Sequence, residues 1–337
     1  MALPPRAVRR LVLAPLIVVL DIVLVALSPL ALVIAALLSP LFGGLRPLRA
    51  TVLVASFALH HLVACAACAR VLLGAGRARR DGDEVREALY DVVRSFVGGF
   101  YRTAVRAARV ELRMCDSADA ERVLSSARCP AVVLSRHAGE GDTLLVLHHL
   151  LCRYRRLPRV VMHELLRLDP LTDTIGGRLP NRFVDPRGGD TEGEIAALAR
   201  DMDERSALLI FPEGGNATGR RRKRAIERLE QAGHCDEAQA ARGMRHLVAP
   251  RPGGALAAIE AATDPAVIFV GHVGFPASMS DAWRLLPHRQ TVEVRLWAAA
   301  TDEVPSDHEA RIDWLFDWWQ TIDAWVSERE AARAAGG

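Results

Sequence analysis

Pro130-Ala-Val-Val-Leu-Ser-Arg-His-Ala-Gly-Glu-Gly-Asp142 leads from an unbroken apolar run directly into a loop carrying an imidazole and a carboxylate. The run has the length of a buried strand, and glycines at 139 and 141 permit a tight loop. The apolar stretch from Thr143 to Leu151 then reads as a helix. Strand, loop and helix in that order deliver His137 and Asp142 to a sheet edge. If the Asp142 carboxylate accepts a hydrogen bond from one ring nitrogen of His137, the other nitrogen is left as a base for a hydroxyl proton.

His308 and Asp313 repeat that spacing and act as an internal control. They lie in a charged and aromatic stretch, Ser306 to Trp319, with no strand before it and no glycine between the two residues. This second match reads as the solvated face of an amphipathic C-terminal helix. A second strand-to-loop transition strengthens the first pair instead. Ala207-Leu-Leu-Ile-Phe211 has the length of a buried strand, and Pro212-Glu-Gly-Gly-Asn-Ala-Thr-Gly219 is the loop at its end.

Working outward, apolar patterning predicts strands at 131–135, 158–162, 182–185, 207–211, 266–274 and 291–297. Helical patterns fall at 85–108, 143–153, 191–204, 222–242 and 308–332. The alternation predicts an α/β fold, a mixed and largely parallel sheet flanked by helices. Lys plus Arg (43) nearly balances Asp plus Glu (40), so the net charge of +3 gives no nucleic-acid signature. The six cysteines are scattered and suggest neither a disulfide framework nor a metal site. Cys65-Ala-Ala-Cys68 lies within an apolar segment, where small residues pack helices.

Together the two loops resemble those of the glycerolipid acyltransferases, which include the lysophosphatidic acid, lysophospholipid and glycerol-phosphate acyltransferases. In that family an Asn-His-x4-Asp block carries a base dyad, and a Phe-Pro-Glu-Gly-Thr block helps bind the acceptor. Arg136-His137-x4-Asp142 and Phe211-Pro212-Glu213-Gly214-Gly215 correspond here, with Arg136 replacing Asn and Gly215 and Asn216 replacing Thr and Arg. The resemblance implies a glycerol-phosphate acyltransferase-like fold with His137 and Asp142 as catalytic residues. It also implies that Phe211, Pro212, Glu213 and Gly214 bind the acceptor. The stretch Arg182-Phe-Val-Asp-Pro-Arg187 is the counterpart of a phosphate-binding block, so Arg182 or Arg187 would hold the acceptor phosphate. Thr218, the basic run Arg220 to Arg224, and Leu247-Val-Ala-Pro-Arg251 resemble the lysocardiolipin acyltransferase-like branch. The similarity spans about residues 125–275.

The implied reaction moves a fatty acyl group from a thioester, acyl-CoA or acyl carrier protein, to the free hydroxyl of a lysophospholipid. The simplest acceptor is 1-acyl-sn-glycerol-3-phosphate, giving phosphatidic acid. The resemblance implies no metal or redox cofactor; the donor is a co-substrate. Two other readings stay open. One is a membrane-bound lipid hydrolase with Ser135 as nucleophile, although the chain has no Gly-x-Ser-x-Gly elbow. The other is a catalytically inactive lipid-binding member of the same fold. Arg220 to Arg224 could meet anionic headgroups or donor phosphates, or be a solvated helix start.

Residues 11–42 hold one charge, Asp21, and residues 51–73 hold one, Arg70; each is long enough to cross a bilayer core of roughly 30 Å. The expected organisation is a membrane hairpin over 1–76 and a cytoplasmic acyltransferase domain over 77–337. Arg6, Arg9 and Arg10 precede the first segment and Arg77, Arg79 and Arg80 follow the second, against Arg46 and Arg49 between them. This bias predicts two spans in the cell membrane with both ends cytoplasmic, facing phospholipid. Asp21 and Pro29 leave a shallow or re-entrant first helix open. Trp314, Trp318, Trp319 and Trp325 belong either to the membrane interface or to the core.

Overall fold

Val132 and Leu134 point to one side of their strand, Ala131 and Val133 to the other, and all four are buried. A strand with two dry faces must sit inside a sheet covered on both sides. The computed structural model describes residues 3–76, 82–139, 141–184, 189–287, 291–299 and 301–336. The strands are β1 (Glu111–Met114), β2 (Ala131–Ser135), β3 (Leu157–His163), β4 (Arg182–Val184), β5 (Ser206–Ile210), β6 (Ala266–Val273) and β7 (Thr291–Ala299). Among the described residues they form one sheet in the order β1-β7-β6-β2-β5-β3-β4. All pairs are parallel except β6 with β7. The fold is therefore the mixed, largely parallel sheet flanked by helices that the alternation predicts.

Position in the sheet explains why the two loops meet. β2 and β5 are parallel neighbours, with Ala131 opposite Ala207 and Leu134 opposite Ile210, so both chains leave the same sheet edge side by side. One face of the sheet is covered by the helices Thr191–Arg200, Pro252–Ala261 and His308–Gly336, the other by Ala118–Ser126 and Asp142–His148. The tryptophans of the C-terminal helix belong to the core: Trp319 and Trp325 are buried, and Trp318 stacks on Phe269 with ring centroids 4.4 Å apart.

Some elements were not anticipated. β1 reads Glu-Leu-Arg-Met, too short and too polar to announce itself, and it exists because its backbone pairs with β7. The short helices Ala118–Ser126, Pro170–Gly176, Pro252–Ala261 and Met279–Arg284 are likewise additions. The single helix expected over 222–242 is two, Gly219–Gln231 and Cys235–Gly243, separated at Gly233 with φ of 80°.

Arg6–Phe42 and Arg46–Gly74 are both long and apolar enough to cross a membrane. The first leaves Leu11, Leu30, Leu37 and Leu41 exposed. The second packs along the helix Asp83–Ala108, with Phe57 edge-on to Phe96 and Phe100. Polar links tie the hairpin to the sheet domain at several levels. Arg9 pairs with Asp173 at 3.2 Å, and His61 bridges Asp21 at 2.6 Å and Asp169 at 2.8 Å. Near the hairpin turn, Arg46 Nε donates to the Leu286 carbonyl at 2.8 Å, and Arg49 donates to that of Ala107. Arg77, Arg79 and Arg80, on which half of the charge bias rests, lie outside the described residues.

Candidate active site

The loop after β2 turns sharply because two of its residues have no side chain. Gly141 adopts a φ of 102°, and a Cβ at Gly139 would collide with the Pro276 carbonyl. The turn brings Asp142, first residue of the following helix, back beneath the loop it terminates. Its Oδ2 accepts hydrogen bonds from His137 Nδ1 at 2.9 Å, Ala138 N at 2.9 Å and Gly139 N at 3.2 Å; Oδ1 accepts one from Thr143 N at 2.6 Å. Burial pushes the Asp142 carboxyl up, but the hydrogen bond from His137, the neighbouring His272 and the Gly139 N–H together hold it below the usual carboxylate range. Asp142 is therefore a carboxylate that fixes the imidazole with its Nδ1 proton inward.

The other face of that imidazole is open. The His137 side chain is 24 % exposed, and among the described residues nothing hydrogen-bonds Nε2. Phe211, last residue of the strand predicted over 207–211, lies just beyond β5 with its ring centroid 4.6 Å from that of His137. A tautomer locked by a buried carboxylate, with the distal nitrogen free, is the arrangement a general base requires.

Glu213 reaches this centre from the second loop. One carboxylate oxygen accepts the His137 backbone N–H at 3.1 Å and the other accepts that of Val248 at 3.3 Å. Its residue is 2 % exposed. Burial pushes its carboxyl up to about 7, against the pull of the Arg136 guanidinium and the two backbone donors. Glu213 thus clamps the backbone of His137. Pro212 is buried, and its carbonyl accepts the Arg251 N–H at 2.9 Å. Gly214 lines a cavity of about 410 Å³ with His163, Arg221, Arg224, Arg228 and Arg251.

Arg136, which stands where the resembling family has Asn, is buried and directed inward. Its guanidinium donates to the carbonyls of His272 at 2.6 Å and His246 at 3.4 Å. Two positioning residues escaped the sequence reading. His272 Nε2 donates to the Arg136 carbonyl at 3.3 Å and lies 3.8 Å from Asp142; burial and the Arg136 charge hold it well below its ordinary pKa, so it is neutral. A lone histidine in the apolar run Ala266-Val-Ile-Phe-Val-Gly-His-Val273 was the signal available. Asp323, on the C-terminal helix, accepts the backbone N–H groups of Arg245, His246 and Leu247 at 2.9, 2.7 and 2.8 Å. It sets the segment whose next residue, Val248, meets Glu213. No local pattern marked it.

The remaining candidates separate. Arg182 is on the edge strand β4, paired with Glu194 at 2.8 Å, and Arg187 lies outside the described residues. Ser135 is fully buried with its hydroxyl donated to the Arg136 carbonyl at 3.0 Å, so it is not placed to serve as a nucleophile for His137.

Fold and site define an α/β domain with a histidine–aspartate pair in the loop after a central strand. Residues 119–271 match the Acyltransferase family, a stretch that contains both loops, β2 to β5 and most of β6. This match supports an acyltransferase domain in the central part of the chain and, with it, acyltransferase activity in general. No curated protein matches this chain.

Proposed function

We propose that the protein transfers a fatty acyl group from a thioester donor, acyl-CoA or acyl carrier protein, to the free hydroxyl of a lysophospholipid, with 1-acyl-sn-glycerol-3-phosphate as the simplest acceptor. The observation that carries this reading is the 2.9 Å contact of His137 Nδ1 with the Asp142 carboxylate, which leaves Nε2 unengaged within an acyltransferase domain joined to an apolar hairpin. His137 Nε2 removes the hydroxyl proton as the acceptor oxygen attacks the thioester carbonyl. The tetrahedral oxyanion collapses, the C–S bond breaks, and the imidazolium returns its proton to the departing thiolate. Asp142 stabilises the imidazolium in between. The N–H groups of Ala138 and Gly139 are directed to Asp142, so the oxyanion must draw its donors from elsewhere. Arg187 remains the candidate for the acceptor phosphate within its motif, since Glu194 competes for Arg182.

The hairpin gives the domain its membrane, and the polar links at its tip favour an in-plane arrangement over two spans. A tip across the bilayer would lie roughly 30 Å from a cytoplasmic domain. Arg46 and Arg49, beside that tip, hydrogen-bond Leu286 and Ala107 of the domain itself. In our reading the hairpin lies within the cytoplasmic leaflet, its exposed leucines among acyl chains and its second helix against the domain. A cysteine at Leu45 tests this: a membrane-impermeant maleimide added to intact cells labels it if the tip is outside and leaves it untouched if the hairpin is in-plane.

The reaction is tested by supplying detergent-solubilised protein with acyl-CoA and 1-acyl-glycerol-3-phosphate and measuring free coenzyme A and diacylated product. The expected result is product from wild type and none from His137→Ala; equal release from both removes His137 as the base.

A further inference from the structure

Arg221, Arg224 and Arg228 recur at spacings of three and four along the helix Gly219–Gln231, which puts them on one stripe. The stripe faces the cavity of about 410 Å³ beside Gly214, and Arg251 enters that cavity from a different element, the residue preceding the helix Pro252–Ala261. Two of the three cations off this stripe have partners: Lys223 pairs with Glu227, and Arg222 donates to the Arg245 carbonyl. Among the described residues, no carboxylate pairs with any of the four that face the cavity, and Arg221 is engaged only by the Gly214 carbonyl at 2.9 Å. The acid lining the cavity, Glu213, has both carboxylate oxygens turned to backbone N–H groups.

We propose that Arg221, Arg224, Arg228 and Arg251 form a receptor for a phosphate group of a substrate, set beside the loop whose glutamate holds His137. The assignment deepens the proposed function and rests on it for the identity of the substrate, but not for the presence of the anion site. Four guanidiniums converging without counter-charge repel one another, and burial together with Arg228 and Arg221 pulls Arg251 below its ordinary pKa. A phosphate relieves that repulsion, and the planar guanidinium fork matches its oxygens. These four arginines are other residues than Arg182 and Arg187, the phosphate ligands that the motif itself implies. A phosphate seated here is tethered next to Gly214, so the hydroxyl or thioester it carries needs to reach only from that loop to the adjacent base.

Phosphate can come from the acceptor or from the donor, and two binding arms distinguish them. Full-length protein in detergent at low ionic strength is titrated calorimetrically with coenzyme A in one arm and glycerol 3-phosphate in the other. Wild type is expected to bind at least one of the two, with pantetheine and glycerol as phosphate-free controls that do not bind. Arg224→Gln with Arg228→Gln should weaken that binding by about tenfold for each arginine removed. Arg220→Gln with Lys223→Gln, the same change of charge off the stripe, should leave it unaltered. Loss confined to coenzyme A assigns the pocket to the donor, and loss confined to glycerol 3-phosphate assigns it to the acceptor. The proposal is overturned if the stripe variant binds like wild type, if both variants lose affinity equally, or if wild type binds neither ligand at millimolar concentration. Should circular dichroism report the double variant unfolded, Arg251→Gln alone, expected to lose about tenfold, decides. His137→Ala should bind phosphate normally, so intact binding without acyl transfer in the wild type would remove the reaction and leave the receptor standing.

Discussion

Two stretches of this chain place a histidine five residues before an aspartate, over quite different backbones. Between His137 and Asp142 the chain turns through Gly139 and Gly141, and the carboxylate closes on the imidazole at 2.9 Å in a site where Asp142 is almost wholly buried. His308 and Asp313 lie on one continuous helix, where five residues at about 100° each leave their side chains roughly 140° apart. His308 instead approaches Glu260 at 3.3 Å with its side chain 60 % exposed, and Asp313 is exposed. Spacing along a sequence constrains a pair only once the backbone between its members is known. The strand that precedes the first pair and the glycines inside it are what convert the spacing into a contact.

The contrast is broken most severely by removing the two histidines in turn. His137→Ala should lower the rate of acyl transfer by roughly 10²–10⁴-fold, the contribution of a positioned general base, while His308→Ala leaves it unchanged. Equal losses would mean that the exposed pair matters in some way its geometry does not suggest.

Next comes the support of the active loop. Asp323→Ala leaves three backbone donors of residues 245–247 without their shared acceptor, which should cost about 2–4 kcal/mol in denaturant unfolding. It should also slow turnover by displacing the Val248 contact to Glu213. A stability loss below about 0.5 kcal/mol would show that water replaces the carboxylate at little cost.

A smaller effect separates the two aspartates by pH. The Asp142 carboxyl lies below its ordinary value of 3.8, so the stability it contributes is fully present above about pH 4 and is lost as pH falls through its folded value. Acid unfolding of wild type and Asp142→Asn should therefore converge at low pH and diverge above it, whereas Asp313→Asn should follow wild type throughout. Glu213 has the opposite sign. With its carboxyl pushed up from 4.5 to about 7, the folded state keeps a proton that the unfolded chain gives up, and stability falls as pH rises between those values. Glu213→Gln should flatten that slope, measured as the change in unfolding midpoint between pH 4.5 and 7. The least effect of all is expected from Asp313→Asn at neutral pH, within about 0.5 kcal/mol of wild type.

Much of this was legible before any fold was known. β2 and β5 announce themselves because strands buried on both faces must be continuously apolar, and the loops after them because glycine clusters end such runs. The helix break at Gly233, the edge strand β1 and the capping role of Asp323 were not legible. Each depends on a partner distant in sequence: β1 on β7, and Asp323 on residues 245–247. Glu213 shows the limit within a recognised motif, since its motif marks it for the acceptor while its two oxygens hold backbone N–H groups of His137 and Val248.

By itself the sequence determined an α/β sheet, an apolar N-terminal hairpin and the loop in which His137 meets Asp142, because hydrophobic periodicity and turn chemistry act over a few residues. Tertiary structure alone decided which cations converge on one cavity and which tryptophans enter the core. Those outcomes come from side chains far apart in the chain competing for the same partners and the same space, and no local pattern records that competition.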